Sequence, residues 1–291
     1  MLPVLECRGA PRDLGFDQGV ACAREVASAL AVRSSGARAV RVERDLWRHF
    51  PHLAERCAGL ARGARVSRRA LARALEAELE PDASPAGGRA VALLPERSGA
   101  GPRLVRAQGR SPASPLRLRR SEPDSGYRSL ELTEAFGVGA LAGVNEAGLA
   151  AAVTVLPAKQ LGDCAAPSRL LVQDCLQHLD GARKAADWCL RRPAGGRAAL
   201  LFTDAEESLG VLLGGEHRSL LDPSDGLLVG PGPDLADDPL EKSLAELRVL
   251  DPETLQRCLP ACDLLWLDPV ERRLGWTEDE SGTVRYRPLL R

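Results

Sequence analysis

Aromatic residues are scarce in this sequence: they make up 3% of 291 residues, and methionine occurs once. The core therefore has to be built mainly from leucine, valine and alanine. Net charge is almost absent, because 39 lysines and arginines face 40 aspartates and glutamates. Overall electrostatics thus gives no support for a nucleic-acid or membrane partner. A run of 18 apolar residues is missing too, so we expect no membrane-spanning helix. The hydrophobic fraction of 44% is nevertheless typical of a folded chain.

The first residues, MLPVLECRGAP, lack a basic start followed by a long apolar stretch. We therefore expect no signal peptide and a cytoplasmic location. In that compartment the eight cysteines are expected to remain buried, reduced thiols. None of them forms a CxxC motif, and several lie in helical patterns beside leucine and alanine.

Local signatures of cofactors and metals are also missing. The sequence contains no GxSxG, HExxH, GxxxxGK[ST] or GxGxxG motif. None of the four histidines, His49, His52, His178 and His217, has ligand spacing with a cysteine pair, so we predict neither a metal site nor a cofactor. His49 and His52 flank a helix break near Pro51 and are interpreted as polar surface residues.

The order of helical and strand patterns predicts one α+β domain over residues 1–291. Residues 1–87 form a helical N-terminal part that opens with a short strand, and residues 88–291 form the sheets with their covering helices. One hairpin is predicted over 90–94 and 103–106. A second, over 139–157, turns at residues 145–148, where asparagine and glycine tolerate positive φ. Its apolar flanks indicate a buried, central position in the sheet.

Several motifs stand in an order that is typical of one family. Gly9, Gly15, Gln18 and Gly19 lie in a strand–turn–helix frame, and residues 143–149 read GVNEAGL, a GxNxxGL element. Helices from Pro167 and the late segment LLWLDPVERRLGW follow. In these features the chain resembles acyl-CoA:6-aminopenicillanic acid acyltransferase-like proteins, the C45 peptidase family of N-terminal nucleophile (Ntn) hydrolases. The resemblance covers nearly the whole chain and implies a four-layer αββα sandwich of two stacked sheets between helical layers.

The chemistry of that family depends on one residue. The resemblance implies that a Gly–Cys bond cleaves itself and that the new N-terminal cysteine, with its own α-amine as base, attacks an amide or thioester. The matching stretch here begins Gly87-Gly88-Arg89, so Gly88 and Arg89 stand where the family has cysteine and then threonine or serine. Gly88 carries neither thiol nor hydroxyl. We therefore expect no self-cleavage and no attack on substrate at this position.

Three further positions depart from the family pattern. Ala107 and Gly109 stand where the resemblance implies an Asn-x-Asp pattern after the first hairpin. Thr154 stands where it implies an asparagine that stabilises the oxyanion. With Gly88 and Arg89, these positions are interpreted as vestiges of a catalytic site. Asn145 is the candidate binding residue, although its role as a turn former already accounts for it.

Function then divides into three hypotheses. The leading one is a catalytically degenerate homologue that binds or scaffolds a paralogous enzyme, a peptide or an acyl-type small molecule. The second is a divergent amidohydrolase or acyltransferase with a relocated nucleophile, Cys164 or Ser84. The third is nucleic-acid binding through residues 103–120, which carry six arginines and no acid. Because that stretch has no aromatic residue and 107–125 is predicted as a polar loop, a solvated loop is favoured.

Overall fold

The computed structural model describes residues 3–31, 39–76, 79, 88–109, 116–156, 164–214, 217–230, 239–260, 262–277 and 283–289. The helices are α1 (Pro11–Ala21), α2 (Ala23–Ala31), α3 (Ala39–His49), α4 (Pro51–Gly63), α5 (Arg68–Glu76), α6 (Pro95–Ser98), α7 (Arg169–His178), α8 (Ala182–Arg191), α9 (Pro239–Ala245) and α10 (Pro252–Cys258). The strands are β1 (Val4–Gly9), β2 (Gly88–Leu93), β3 (Arg103–Gly109), β4 (Leu116–Pro123), β5 (Ser129–Glu134), β6 (Ala142–Asn145), β7 (Ala150–Leu156), β8 (Arg197–Thr203), β9 (Ser208–Gly214), β10 (His217–Leu221), β11 (Leu227–Val229), β12 (Cys262–Asp268), β13 (Arg273–Thr277) and β14 (Val284–Pro288).

Within the described ranges, these strands form two stacked sheets. The larger sheet runs β1-β4-β5-β6-β7-β8-β9-β10 and the smaller runs β11-β2-β3-β12-β13-β14. β2 and β3 pack on β7 and β8 across the interface between the sheets. α7 and α8 pack on the larger sheet, and leucines of α9 and α10 cover Val91, Val105 and Trp266 of the smaller one. The predicted α+β fold, an αββα sandwich, is confirmed.

Both predicted hairpins are present. β2 pairs antiparallel with β3, with Ala90 opposite Arg106. β6 and β7 lie in the middle of the larger sheet, and Gly148, at a φ of 96°, donates its amide to Asn145 O at 3.1 Å. A residue with a side chain is strained at that φ, which explains the glycine. The local turn chemistry was therefore sufficient to place these four strands.

The prediction of a polar loop over residues 107–125 is wrong. Residues 116–123 form β4, which pairs with β1 on one side and with β5 on the other. The arginines of this strand point to specific acidic partners: Arg117 pairs with Glu25 at 2.7 Å and Arg120 with Glu6 at 3.0 Å. Arg117 and Arg120 are therefore engaged in ion pairs, and nucleic-acid binding through residues 103–120 stays a prediction. Arg110 lies outside the described residues.

The helical N-terminal part is joined to the larger sheet by β1, which runs parallel to β4 with Val4 opposite Leu118. Its two main helices, α1 and α4, contact each other through glycines. A Cβ atom on Gly15 would lie 1.9 Å from Arg56 O, and one on Gly59 would lie 1.9 Å from Arg12 O. These distances are below any real contact, so the two helix backbones approach as closely as glycine alone permits.

All eight cysteines are free thiols, but Cys258 and Cys262 are only half-buried, contrary to the expectation that all eight are buried. Buried free thiols are found at Cys7, Cys22, Cys57, Cys164, Cys175 and Cys189. Burial raises the pKa of the Cys7 thiol to about 11 and that of Cys57 to about 12, so both stay protonated at neutral pH. No helix in the described part of the chain is long and apolar enough to cross a membrane.

A buried ion pair joins the helical layer to the larger sheet. Arg119 Nε of β4 lies 2.6 Å from Glu131 Oε2 of β5, and neither side chain is exposed to solvent. Arg119 also donates to Gln18 Oε1 of α1 at 2.7 Å and to Gly137 O at 3.0 Å. Gln173 Nε2 of α7 donates to Glu131 Oε1 at 2.7 Å. Two helices and two strands therefore meet at a single pair of charges.

A second buried guanidinium adds to this network. Arg56 of α4 donates to Ser121 Oγ at 2.8 Å, and burial lowers its pKa to about 10. Burial alone raises the pKa of the Glu131 carboxyl, but the charges of Arg119 and Arg56 outweigh this effect. The pKa of Glu131 therefore falls below its ordinary value, and the group stays ionised in the core.

We expect Glu131→Gln to lower the free energy of unfolding by about 3–5 kcal/mol at pH 7, because it leaves buried guanidinium groups without their counter-ion. A lowered pKa gives stabilisation that is present above the ordinary value of 4.5 and is lost as pH falls through the lower folded value. The difference in the free energy of unfolding between the wild type and Glu131→Gln should therefore shrink as pH falls below 4.5. Urea unfolding of both proteins from pH 7 to pH 3 measures it.

The control for this prediction is Glu207→Gln, which removes a partly exposed carboxylate paired with Arg183 at 2.9 Å. That change should cost no more than about 1 kcal/mol. Equal losses in the two variants, or a deficit of Glu131→Gln that persists unchanged at pH 3, would contradict the proposed role of the ion pair.

Candidate functional site

The position that the resemblance singles out lies at the start of β2, between the two sheets. Gly88 is the first residue of that strand and pairs with Gln108 of β3. Ala90 and Ala92 follow on the same face and belong to the core between the sheets. A side chain at residue 88 would therefore point into the interior of the sandwich.

A guanidinium group occupies the space where such a side chain would begin. The Nη2 atom of Arg106 lies 2.2 Å from the point where a Cβ atom on Gly88 would stand, and Gln108 Oε1 lies 2.9 Å from it. Arg106 Nε donates to Gln108 Oε1 at 3.2 Å, and its Nη1 donates to Val153 O of the facing sheet. Any side chain at residue 88 therefore requires Arg106 to move.

Arg106 is almost fully buried, with 2% of its surface exposed. Burial is the largest influence on it and lowers its pKa to about 10; Arg169 lowers the pKa further, and Glu134 raises it. At neutral pH the group therefore remains a cation. Glu134, the last residue of β5, pairs with Arg169, the first residue of α7. The Arg169–Glu134 pair therefore lies close enough to Arg106 to influence its pKa.

Thr154 and Gly230 complete the surroundings of this strand. Thr154 Oγ1 of β7 accepts a hydrogen bond from Ala90 N at 3.1 Å, and Gly230 N donates to Ala90 O at 2.8 Å. Arg89 Nη2 donates to Gly230 O at 2.9 Å. The hydroxyl of Thr154, predicted as a vestigial oxyanion position, therefore accepts a hydrogen bond from the backbone of β2.

Two other vestigial positions, Ala107 and Gly109, lie on β3 on either side of Gln108, the residue that pairs with Gly88. Ala107 packs with Val91 and Val105 in the outer cluster of the smaller sheet, on the opposite face from Gly88. Gly109 lies at the end of β3, opposite Cys262. The polar side chains that meet Gly88 are Arg106 and Gln108, which the sequence analysis did not select. Side chains alternate between the two faces of a strand, so Gln108, opposite Gly88, and Arg106, two residues before it, share the face of Gly88. This alternation was the signal that could have identified them.

Of the two alternative nucleophiles, the structure describes the surroundings of Cys164. Ser84 lies outside the described residues. Cys164 precedes α7 by five residues, so it is not in the first turn of that helix. Burial raises the pKa of its thiol, and its Sγ accepts a hydrogen bond from Ala166 N at 3.4 Å. The thiolate required for attack is therefore disfavoured.

Asn145 uses its whole side chain within the fold. Its Nδ2 donates to Leu176 O at 2.9 Å and to Leu179 O at 2.7 Å, at the end of α7. Its Oδ1 accepts from Ala147 N at 3.1 Å and from Leu149 N at 2.9 Å. An asparagine amide offers two donor hydrogens and two acceptor lone pairs. The side chain therefore fixes the β6–β7 turn to α7 and has no group left for the ligand that was expected there.

A second polar cluster lies in the helical layer, at His52, Asp174 and His178. His52 Nε2 and His178 Nδ1 each lie 3.2 Å from Asp174 Oδ1. The interpretation of His52 as a polar surface residue is wrong, because 21% of its side chain is exposed and the ring faces Asp174. The sequence could have predicted the proximity of Asp174 and His178, because they stand one helical turn apart.

Comparison of this chain with known proteins finds solved structures of similar fold but no protein of similar sequence. No family model matches the sequence, and no curated protein does either. A mutant of conjugated bile acid hydrolase from Clostridium perfringens superposes with a TM-score of 0.50 at 10% identity, over 68% of this chain and 92% of that one.

Two further solved structures are similar to the chain. A Caenorhabditis elegans N-acylethanolamine-hydrolyzing acid amidase ortholog gives a TM-score of 0.49 at 12% identity, over 62% of this chain and 92% of that one. Penicillin V acylase from Agrobacterium tumefaciens gives 0.42 at 13% identity, over 70% of this chain and 78% of that one. At such identities the likeness concerns the fold, which is that of Ntn hydrolases.

We expect Gly88→Ala to lower the free energy of unfolding by about 1–3 kcal/mol, because the new methyl group displaces Arg106 from its buried hydrogen bonds. In an Arg106→Met background, whose flexible side chain adapts to the added methyl group, the same change should cost much less. Denaturant unfolding of the four proteins in this double-mutant cycle measures the coupling.

Gly214→Ala is the matched control, since Gly214 also lies in a strand and the nearest atom to its added Cβ is His217 O at 3.6 Å. Its cost should be within about 0.5 kcal/mol. Additive losses from Gly88→Ala and Arg106→Met would show that the guanidinium does not occupy the space at residue 88.

Proposed function

We propose that this protein is an Ntn-fold binding or scaffolding protein that neither cleaves itself at residues 87–88 nor attacks a substrate from residue 88. One observation carries the proposal: the first residue of β2 has no side chain, and the Arg106 guanidinium lies 2.2 Å from the position of its absent Cβ. In Ntn chemistry the attacking atom belongs to the residue at this position, and its own α-amine acts as base. Here both the attacking atom and the space for it are missing.

The ligand we propose for the site is an acyl-type small molecule with an anionic group. Among the described residues around the start of β2 on the face that looks into the sandwich, the cations Arg106 and Arg169 are accompanied by one carboxylate, Glu134. An excess of positive charge in a low-dielectric setting attracts an anion and disfavours a cation. Arginine also matches the planar geometry of a carboxylate. A peptide or a paralogous enzyme as partner lacks such a supporting contact.

The first test concerns the covalent state of the chain. Intact-mass spectrometry of the purified protein, after prolonged incubation at neutral pH, should give one species at the full mass of 31.1 kDa. Gly88→Cys should also remain uncut, because Arg106 occupies the position that the new thiol needs. A fragment that begins at residue 88 in the wild-type protein would overturn the proposal.

The second test concerns the ligand. We expect N-dodecanoylglycine to bind more tightly than N-dodecanoylethanolamine, which has the same chain and amide but no carboxylate, by about tenfold or more. Isothermal titration calorimetry measures both. Arg106→Met should remove the preference, whereas Arg183→Met, which alters an exposed arginine of α8, should keep it.

The same samples distinguish the divergent-hydrolase hypothesis. Release of fatty acid from N-dodecanoylglycine or from dodecanoyl-coenzyme A, lost in Cys164→Ala and kept in Cys189→Ala, would replace a binding function with catalysis by a relocated thiol. Equal affinities for the two acyl probes would contradict the proposal that the ligand carries an anionic group. The proposal that the chain stays uncut would be unaffected.

A further inference from the structure

We propose that His52, Asp174 and His178 bind a divalent transition-metal ion of the zinc class, and that this ion joins α4 to α7. The three side chains each offer one ligand atom, and these atoms lie within 4.8 Å of one another. Two imidazole nitrogens and one carboxylate oxygen form a donor set that suits zinc and related ions and excludes calcium or magnesium as the preferred occupant.

Rigid elements hold the ligands in place. Asp174 and His178 lie one turn apart on α7, so their side chains stand on the same face of the helix. His52 is the second residue of α4, directly after Pro51, whose ring suits the first turn of a helix. The His52 and His178 rings meet edge to face, with centroids 4.9 Å apart. The three ligands therefore stand on two helices and not on a loop.

Two of the three ligand separations are close to those around a bound ion, and all three lie within 4.8 Å. In a tetrahedral zinc site with bonds of about 2.0–2.1 Å, neighbouring ligand atoms are roughly 3.4 Å apart. Both histidine nitrogens lie 3.2 Å from Asp174 Oδ1. Separation of each nitrogen from the oxygen by a few tenths of an ångström gives room for the ion between them.

The carboxylate is oriented by a group outside the ligand set. Trp188 Nε1 of α8 donates to Asp174 Oδ2 at 2.8 Å, which leaves Oδ1 directed at the two histidines. Such outer partners are typical of metal sites because they fix the ligand in its binding orientation. Asp174 is 4% exposed, whereas His178 is 44% exposed, so an ion can enter from the side of His178 and retain a water ligand.

One buried atom is better explained with an ion than without. His52 Nε2 is buried and makes no hydrogen bond, although it lies 3.2 Å from Asp174 Oδ1. The contact is close but poorly aligned for an N–H donor. A buried polar nitrogen without a partner is costly. Coordination would use the lone pair of that nitrogen and give each of the three groups a common partner.

The structural consequence is a link between the two parts of the chain. His52 belongs to the helical N-terminal part, whereas Asp174 and His178 belong to the helix that covers the larger sheet. Because an ion that binds only the folded state stabilises it, saturating metal should raise the melting temperature. This inference is independent of the proposed ligand at residue 88.

The test uses the full chain with cobalt(II) as a spectroscopic probe and zinc(II) as competitor. We expect one equivalent of Co²⁺ to give visible bands of a four-coordinate nitrogen and oxygen site without a thiolate charge-transfer band, and Zn²⁺ to displace it. Zinc should also raise the melting temperature. His178→Ala should weaken binding by at least roughly tenfold, and Trp188→Phe, which leaves all three ligands present, should weaken it by about 10–100-fold.

His217→Ala is the control, because His217 is exposed on β10 and belongs to no cluster of three ligand groups in the described part of the chain. It should leave the affinity and the spectrum unchanged. Circular dichroism shows whether each variant is folded, so a loss of binding with loss of fold is not counted as support. No binding at 100 µM metal, a thiolate band, or affinity that survives both His178→Ala and Trp188→Phe would each overturn the proposal.

Discussion

The Arg119–Glu131 ion pair is the constraint on which the arrangement of layers depends. Removal of two charges from water costs several kcal/mol for each ion, and this cost is offset only where hydrogen bonds satisfy the remaining donors and acceptors. Here the partners come from Gln18 on α1, from Gln173 on α7 and from the backbone at Gly137. Each helix must therefore sit at one position over the sheet, since a displacement leaves a buried charge unsatisfied.

The same requirement explains why Arg106 is tolerated between the sheets. Its hydrogen bonds to Val153 O and Gln108, with Glu134 as the nearby counter-charge, offset part of the cost of its burial. Those contacts exist only because Gly88 leaves the volume beside β3 empty. The missing side chain at residue 88 and the buried cation are thus one structural feature.

How much of this was predictable depended on how local each signal was. The β2–β3 and β6–β7 hairpins follow from turn residues and alternation within single short stretches of the chain, and both were predicted. β4 was not, because arginines at 117, 119 and 120 resemble a solvated loop until the acidic partner of each is known. A buried arginine requires a partner from elsewhere in the fold, and a residue pattern does not reveal that partner.

The candidate site shows the same division. Gly88 was identified because the missing side chain is a property of one residue. Arg106 and Gln108 were missed because the face on which they lie depends on strand register, and a shift of one residue exchanges the two faces. His52 was misplaced for a similar reason: its partners Asp174 and His178 lie more than 100 residues away, and only the folded chain brings the start of α4 close to them.

The two polar clusters differ in the kind of function that each allows. The cluster at Gly88 lies between the sheets, where exchange of a ligand requires buried groups to be uncovered. The cluster at His178 lies in the helical layer, where one ligand is 44% exposed and the fold already fixes the others. Because a fold constrains function only through its sites, the sandwich and the start of β2 are separate constraints. The buried ion pair that holds the layers together does not involve residue 88.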